Sequence, residues 1–151
     1  MYTDSGSRTG LFDALGTDLL HRGGFERMVR EVVRPDALEG LRGGIRDNVE
    51  RYAAHHDVLR TLYSTASLDA EAVGGAVRRM ETCRATGMDD LARRLGAQGM
   101  LREDVTVTEA GHRLWLLSSF DGFDLLHTGR SLTVDQIAAT LIGTAEHALC
   151  H

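Results

Sequence analysis

Thr133-Val134-Asp135-Gln136-Ile137-Ala138-Ala139-Thr140-Leu141-Ile142-Gly143-Thr144-Ala145-Glu146-His147-Ala148-Leu149 is the stretch that decides the fold. A threonine followed three residues later by a glutamine is a capping box, whose side chains satisfy backbone N–H groups that a helix start leaves without partners. Behind it, Val134, Ile137, Ala138, Leu141, Ile142, Ala145 and Leu149 recur at helical spacing and trace one broad apolar face. Ala139, Gly143 and Ala148 keep the rest of the surface small, which allows another helix to approach closely.

The same signal recurs toward the N-terminus. Thr106-Val107-Thr108-Glu109 has the same form, and so does Asp36-Ala37-Leu38-Glu39 after the Arg34-Pro35 breaker. Ser7 and Asp69 are candidate N-caps for two further helices. Strand signals are sparse: aromatic residues make up 5% of the chain, and no Asn-Gly or Asp-Gly turn joins alternating segments. Helices are predicted from Thr9 to His21, Phe25 to Val33, Asp36 to Ala54, Val58 to Ser64, Ala70 to Gly99 with a bend near Gly87, Thr108 to Leu126 and Val134 to Leu149. The expectation is an all-α bundle of about seven helices. Gly43, Gly44, Gly74, Gly75, Gly87 and Gly122 fall inside these spans, and each costs a helix interior about 1 kcal/mol relative to alanine. Three explanations stand: the helices break there, close packing compensates, or the missing side chains leave room for a ligand.

The 151 residues suit one domain, with 42% hydrophobic and 26% charged residues, a globular balance. No apolar run approaches the roughly 20 residues needed to span a bilayer, and Met1-Tyr2-Thr3-Asp4-Ser5 does not open a signal peptide. A cytoplasmic protein with no membrane partner is expected. Cys83 and Cys150 form no metal-ligand spacing and read as reduced thiols. All 17 basic residues are arginine, which excludes lysine chemistry such as a Schiff base. The net charge is −5 and the arginines alternate with acids, so this chain alone is not expected to hold DNA.

Charge thins out toward the C-terminus: residues 106–151 carry seven charged side chains among 46 residues, against 32 in the preceding 105. The segment Leu114-Trp115-Leu116-Leu117, continuing to Phe120, Phe123, Leu125 and Leu126, is apolar on more than one face. Two adjacent charge-poor helices suit a pairing in which two from each subunit form a four-helix bundle about a two-fold axis. Leu117, Phe120, Asp124, Ile137, Leu141, Ala145 and Ala148 are the candidate dimer contacts. Burial of both helices within one subunit is the alternative.

The chain resembles the C-terminal regulatory domain of TetR-family transcriptional regulators over nearly its whole length. Tyr2-Thr3-Asp4-Ser5-Gly6-Ser7-Arg8, continuing to Leu11-Phe12-Asp13-Ala14-Leu15, is similar to the place where that family's helix-turn-helix domain ends and its connecting helix begins. Arg51-Tyr52-Ala53-Ala54-His55-His56-Asp57-Val58-Leu59 resembles a helix junction inside the regulatory domain. The stretch from Leu114 to Leu126, then Leu132 to Ala138, resembles the dimerising helix pair. The resemblance implies that residues 1–8 are the end of a DNA-binding domain and residues 9–151 a ligand-binding and dimerisation domain. It implies a homodimer made by the last two helices, a small molecule held among the central ones, and DNA as a partner only if a helix-turn-helix lies upstream. The family's His-Phe is replaced here by Asp4-Ser5, and its DNA-binding part is not in this chain. A stand-alone helical binding protein, or an enzyme reusing the pocket, is the alternative.

The candidate ligand-binding residues are Tyr52, Tyr63, Met80, Cys83, Arg84, Met88, Trp115 and Ser119. Met80, Cys83, Arg84 and Met88 share roughly one helix face, and an arginine among methionines suits an anionic or carbonyl-bearing apolar ligand. The competing reading makes the methionines core filler and pairs Arg84 with Glu81 or Asp89 at the surface. No metal or cofactor is expected: His55-His56-Asp57 are neighbours that point apart, and His112, His127, His147 and His151 lack an i, i+4 ligand partner. His55 and His56 read as helix-end residues. Ser118 or Ser119 with Asp121 and His112 would make a triad only on paper, because no Gly-x-Ser-x-Gly elbow is present, so no enzyme is expected.

Overall fold

The computed structural model describes residues 34–73 and 75–151. Among the described residues it is all-helical, with six α-helices and no strand: α1 Ala37–Ala54, α2 His56–Leu68, α3 Ala76–Ala97, α4 Val107–Leu117, α5 Phe120–Arg130 and α6 Val134–Leu149. A 3₁₀ turn, Ala70–Val73, separates α2 from α3. The two helices expected before residue 34, the Ser7 cap and the 1–8 segment lie outside the described residues.

Three of the expected caps form. Asp36 accepts from the Leu38 and Glu39 amides at 2.9 and 3.3 Å. Thr106 with Glu109, and Thr133 with Gln136, make complete capping boxes. Asp69 instead ends α2, its amide donating to the Thr65 carbonyl at 2.8 Å. α3 runs without interruption through Gly87, and the break falls before Gly75, the residue that precedes α3. The 70–99 span is therefore a 3₁₀ turn and a helix rather than one helix.

A second correction concerns the 108–126 span, which is two helices meeting at Ser118-Ser119. Serine hydroxyls compete with helical hydrogen bonding, and here they win. Ser119 becomes the N-cap of α5, its Oγ accepting from the Gly122 amide at 3.0 Å. The break accounts for part of the apolar surface spread over more than one face: each half turns its own side inward, burying Leu114 from α4 and Phe120 and Phe123 from α5, while Leu116 and Leu125 stay exposed.

α1 is the hub, packed against α2, α3, α5 and α6, while α4 lies along α3. Two close approaches need a missing side chain. A Cβ at Gly111 of α4 would sit 2.6 Å from the Asp89 carboxylate of α3, and one at Gly96 would sit 2.8 Å from the Val107 side chain. Leu41, Ile45, Val49, Leu59, Leu62, Leu91, Leu95, Leu114, Phe123, Ile137 and Leu149 build one continuous core between the helices. At its edge Arg42 of α1 bonds Glu146 of α6, Nε to Oε1 at 2.7 Å, and the Gln98 side chain closes the start of α1 by accepting from the Ala37 amide at 2.9 Å. No helix among the described residues is long and apolar enough to cross a membrane.

Replacing either capping threonine by alanine, Thr106→Ala or Thr133→Ala, should lower stability by about 1 kcal/mol each in urea denaturation. An unchanged midpoint in both variants would show that the caps do not set these helix starts.

Candidate functional site

Along α1 the inward residues include Leu41, Ile45, Asn48, Val49, Arg51 and Tyr52, and Asn48 and Tyr52 carry polar groups from this largely apolar face toward the next helices. Asn48 and Tyr52 end on one atom. The Asn48 amide and the Tyr52 hydroxyl each donate to the Ser118 carbonyl at 2.7 Å. That carbonyl is left free by the break between α4 and α5, and it lies buried. Asn48 in turn accepts from Arg51 Nη2 at 2.7 Å.

From the opposite side comes Arg84 of α3, only 5% exposed. Its Nη1 donates to Ser118 Oγ at 2.9 Å and to the Trp115 carbonyl. Its Nε and Nη2 face the two oxygens of Glu81, at 2.8 and 2.9 Å, a bidentate pair. The Trp115 ring lies over the guanidinium, 4.8 Å from ring centre to the central carbon. Burial, the largest single influence, works to lower the Arg84 pKa, but the Glu81 hydrogen bond together with the charge interactions with Tyr52, Glu81 and Tyr63 raises it on balance and holds the group more firmly protonated than usual. Tyr63 donates to Glu81 Oε2 at 3.4 Å and stacks on Phe120 at 5.4 Å between centroids. Burial pushes both tyrosine hydroxyls, Tyr52 and Tyr63, above their ordinary pKa, so each remains a neutral donor.

The eight candidate ligand residues divide. Tyr52, Tyr63, Arg84 and Trp115 do converge on this polar knot, while Ser119 caps α5 beside it. Met80 and Met88 are buried in the core, and Cys83 faces solvent. The arginine pairs with Glu81, as the competing reading had it, but in the interior and not at the surface. Asp89 lies instead against Gly111. Among the described residues, the gap between Leu41, Ile45, Asn48, Arg84, Met88 and Ser118 is about 10 Å³, room for roughly one water. A larger opening of about 210 Å³ lies at the surface beyond Tyr63 and Phe120, bordered by Arg60, Ser64, Asp121 and Asp124.

The candidate dimer contacts lie mostly within the subunit. Phe120, Ile137, Leu141 and Ala145 are buried in the chain's own core, and Leu117 and Ala148 pack partly against it. The most regular apolar face of α6 is therefore taken by α1 and its neighbours, because an isolated subunit must first fill its own interior. Asp124 accepts from Thr128 Oγ1 at 2.6 Å and contacts His56 Nε2 at 2.7 Å. Its partial burial works to raise its pKa, but those two hydrogen bonds and the nearby Arg60 charge hold it below the usual carboxylate value. His55 ends α1 and His56 begins α2, where its ring contacts Phe120, Phe123 and His127. Among the described residues no group of three or more His, Cys, Asp or Glu side chains is arranged to hold a metal ion. Ser118 and Ser119 have their hydroxyls in the structural bonds above, and His112 is exposed.

Sequence reasoning missed Asn48, the Ser118 carbonyl as a shared acceptor, and the pairing of His56 with Asp124. Asn48 had a readable signal, a polar residue on the stripe Leu41, Ile45, Asn48, Tyr52. No protein-family model matches the chain, and neither a curated protein nor a solved structure matches it.

Because two donors share the Ser118 carbonyl, each should partly cover for the other. Tyr52→Phe and Asn48→Leu are each expected to cost about 1 kcal/mol in denaturant unfolding, and the double variant distinctly more than their sum. Strict additivity would mean that the carbonyl is not the shared point.

Proposed function

We propose that this chain is the small-molecule-sensing and self-pairing domain of a TetR-like transcriptional regulator, acting on DNA only when joined to a helix-turn-helix domain. The observation that carries the pairing is the outward face of α6. Ala139, Thr140, Gly143, Thr144 and His147 line a shallow open groove there, with Ala148 at its border and no acidic or arginine side chain among them. Its polar groups are turned back onto the helix. Thr140 donates to the Gln136 carbonyl at 2.8 Å and Thr144 to the Thr140 carbonyl at 2.7 Å, while His147 Nδ1 lies 2.7 Å from the Gly143 carbonyl. A face whose donors are already satisfied loses little when water leaves it, which suits close contact with a second helix. Leu116 and Leu125 add exposed apolar surface on α4 and α5, at 66% and 71% exposure. The sensing half of the reading is supported by the Arg84 knot, a fixed charge inside a helical frame beside the break between α4 and α5. A bound molecule that altered this joint would shift helices that also border the pairing face, a coupling of two equilibria through one rigid body.

Gly143 separates pairing from folding, since a Cβ there would meet nothing within 4 Å in the subunit. The natural chain is expected to scatter light as a dimer of the 16.5 kDa subunit. Gly143→Arg should run as a monomer with its helicity and unfolding midpoint intact or slightly raised, because glycine is a poor helix former. A natural chain that is monomeric at all concentrations would refute the pairing reading.

A further inference from the structure

We propose that the Arg84 fork is a recognition point for the carboxylate of a small, singly charged aromatic acid, and that Glu81 occupies this point until such a ligand displaces it; the inference rests on the sensing role above. The two partners of this ion pair are held very differently. Arg84 is 5% exposed and anchored from behind by Ser118 Oγ and the Trp115 carbonyl, so its Nε–Nη2 edge keeps its direction whatever stands in front of it. Glu81 is 30% exposed, three residues earlier on the same helix, and its oxygens are held by Arg84 and by a long 3.4 Å bond from Tyr63. A rotamer change carries it into water.

The vacated place would select its occupant. A buried guanidinium stays charged, so the fork without an anion is costly, and a planar carboxylate repeats the two parallel hydrogen bonds that Glu81 makes. The walls are aromatic: Trp115 lies over the guanidinium, and Tyr63 is stacked on Phe120. An aromatic body therefore suits the space better than an aliphatic chain. The gap behind Arg84 is too small for a ligand, so entry is from the Glu81 side, where Tyr63 also borders the surface opening of about 210 Å³. Asp121 and Asp124 line that opening with one arginine, Arg60, which already lies 3.9 Å from Asp124, so the surplus of negative charge disfavours a second negative group.

Trp115 is the chain's single tryptophan and touches the fork, so its emission reports on the site directly. The test is a titration with sodium benzoate, using benzamide as the neutral isostere, on the natural chain and on Glu81→Gln. Glutamine keeps the shape of Glu81 but removes the competing charge. Glu81→Gln should bind benzoate about tenfold more tightly than the natural chain, since a site blocked most of the time loses apparent affinity by its free fraction. Benzamide should give no saturable response, and Arg84→Met should abolish the benzoate response. Equal benzoate affinity in the first two chains, or a benzamide response equal to that of benzoate, would overturn the proposal even if Arg84→Met failed to fold. A chain that scatters as a dimer yet shows no benzoate response would refute this site alone and leave the pairing domain standing.

Discussion

A guanidinium does not shed its proton inside a protein, and burying one obliges the chain to surround it with acceptors. Arg84 imposes that constraint here. Its four hydrogen bonds reach Glu81 on its own helix and Trp115 and Ser118 on the next, so α3 is fixed against the point where α4 stops and α5 begins. The same point is gripped from α1 by Asn48 and Tyr52 through the Ser118 carbonyl. α1 and α3 thus meet on one residue, Ser118, next to the Ser119 cap of α5, and the break that frees the carbonyl is what lets them meet. The joint is specific because an apolar core alone tolerates sliding, whereas directed bonds to one carbonyl do not.

The apolar packing follows from this frame. With α5 set by its Ser119 cap, Phe120 and Phe123 turn toward α1 and enclose Tyr52 and His56 in a ring cluster, with Tyr52 5.5 Å from Phe120 and 5.7 Å from Phe123. α6 then covers α1 with Ile137, Ala138, Leu141 and Ala145, and its opposite face, made of small and self-bonded residues, is left at the surface. One helix therefore presents two different faces, one filling the core and one of small residues left at the surface. The functional reading depends on this division.

Much of the fold was legible because helix starts are written locally. Threonine with Glu109 or Gln136 three residues on, and aspartate after Arg34-Pro35, name their helices without any tertiary information. The break at Ser118-Ser119 was not legible, because Leu114 to Leu126 keeps a helical pattern of apolar residues across it. The Ser119 cap and the long-range bonds from Asn48, Tyr52 and Arg84 together hold the break there. The site was half legible for the same reason. Chemistry singled out Arg84, Tyr52, Tyr63 and Trp115, but two of the acceptors that gather them, the Ser118 and Trp115 carbonyls, are backbone groups that carry no sequence signature. Phe120, Ile137, Leu141 and Ala145, expected at a subunit contact, fill the chain's own core, because periodicity shows that a face is apolar without saying which partner it meets.

If the Arg84–Ser118 joint holds the domain together, α3 and α5 should lose their structure together. Native-state hydrogen exchange measures this most directly, residue by residue, under increasing denaturant. The account predicts that amides of α3 around Arg84 and those of α5 just after its first turn exchange through one opening, with the same free energy and the same denaturant dependence. Exchange of α5 through a separate opening of lower energy, while α3 stays protected, would contradict it.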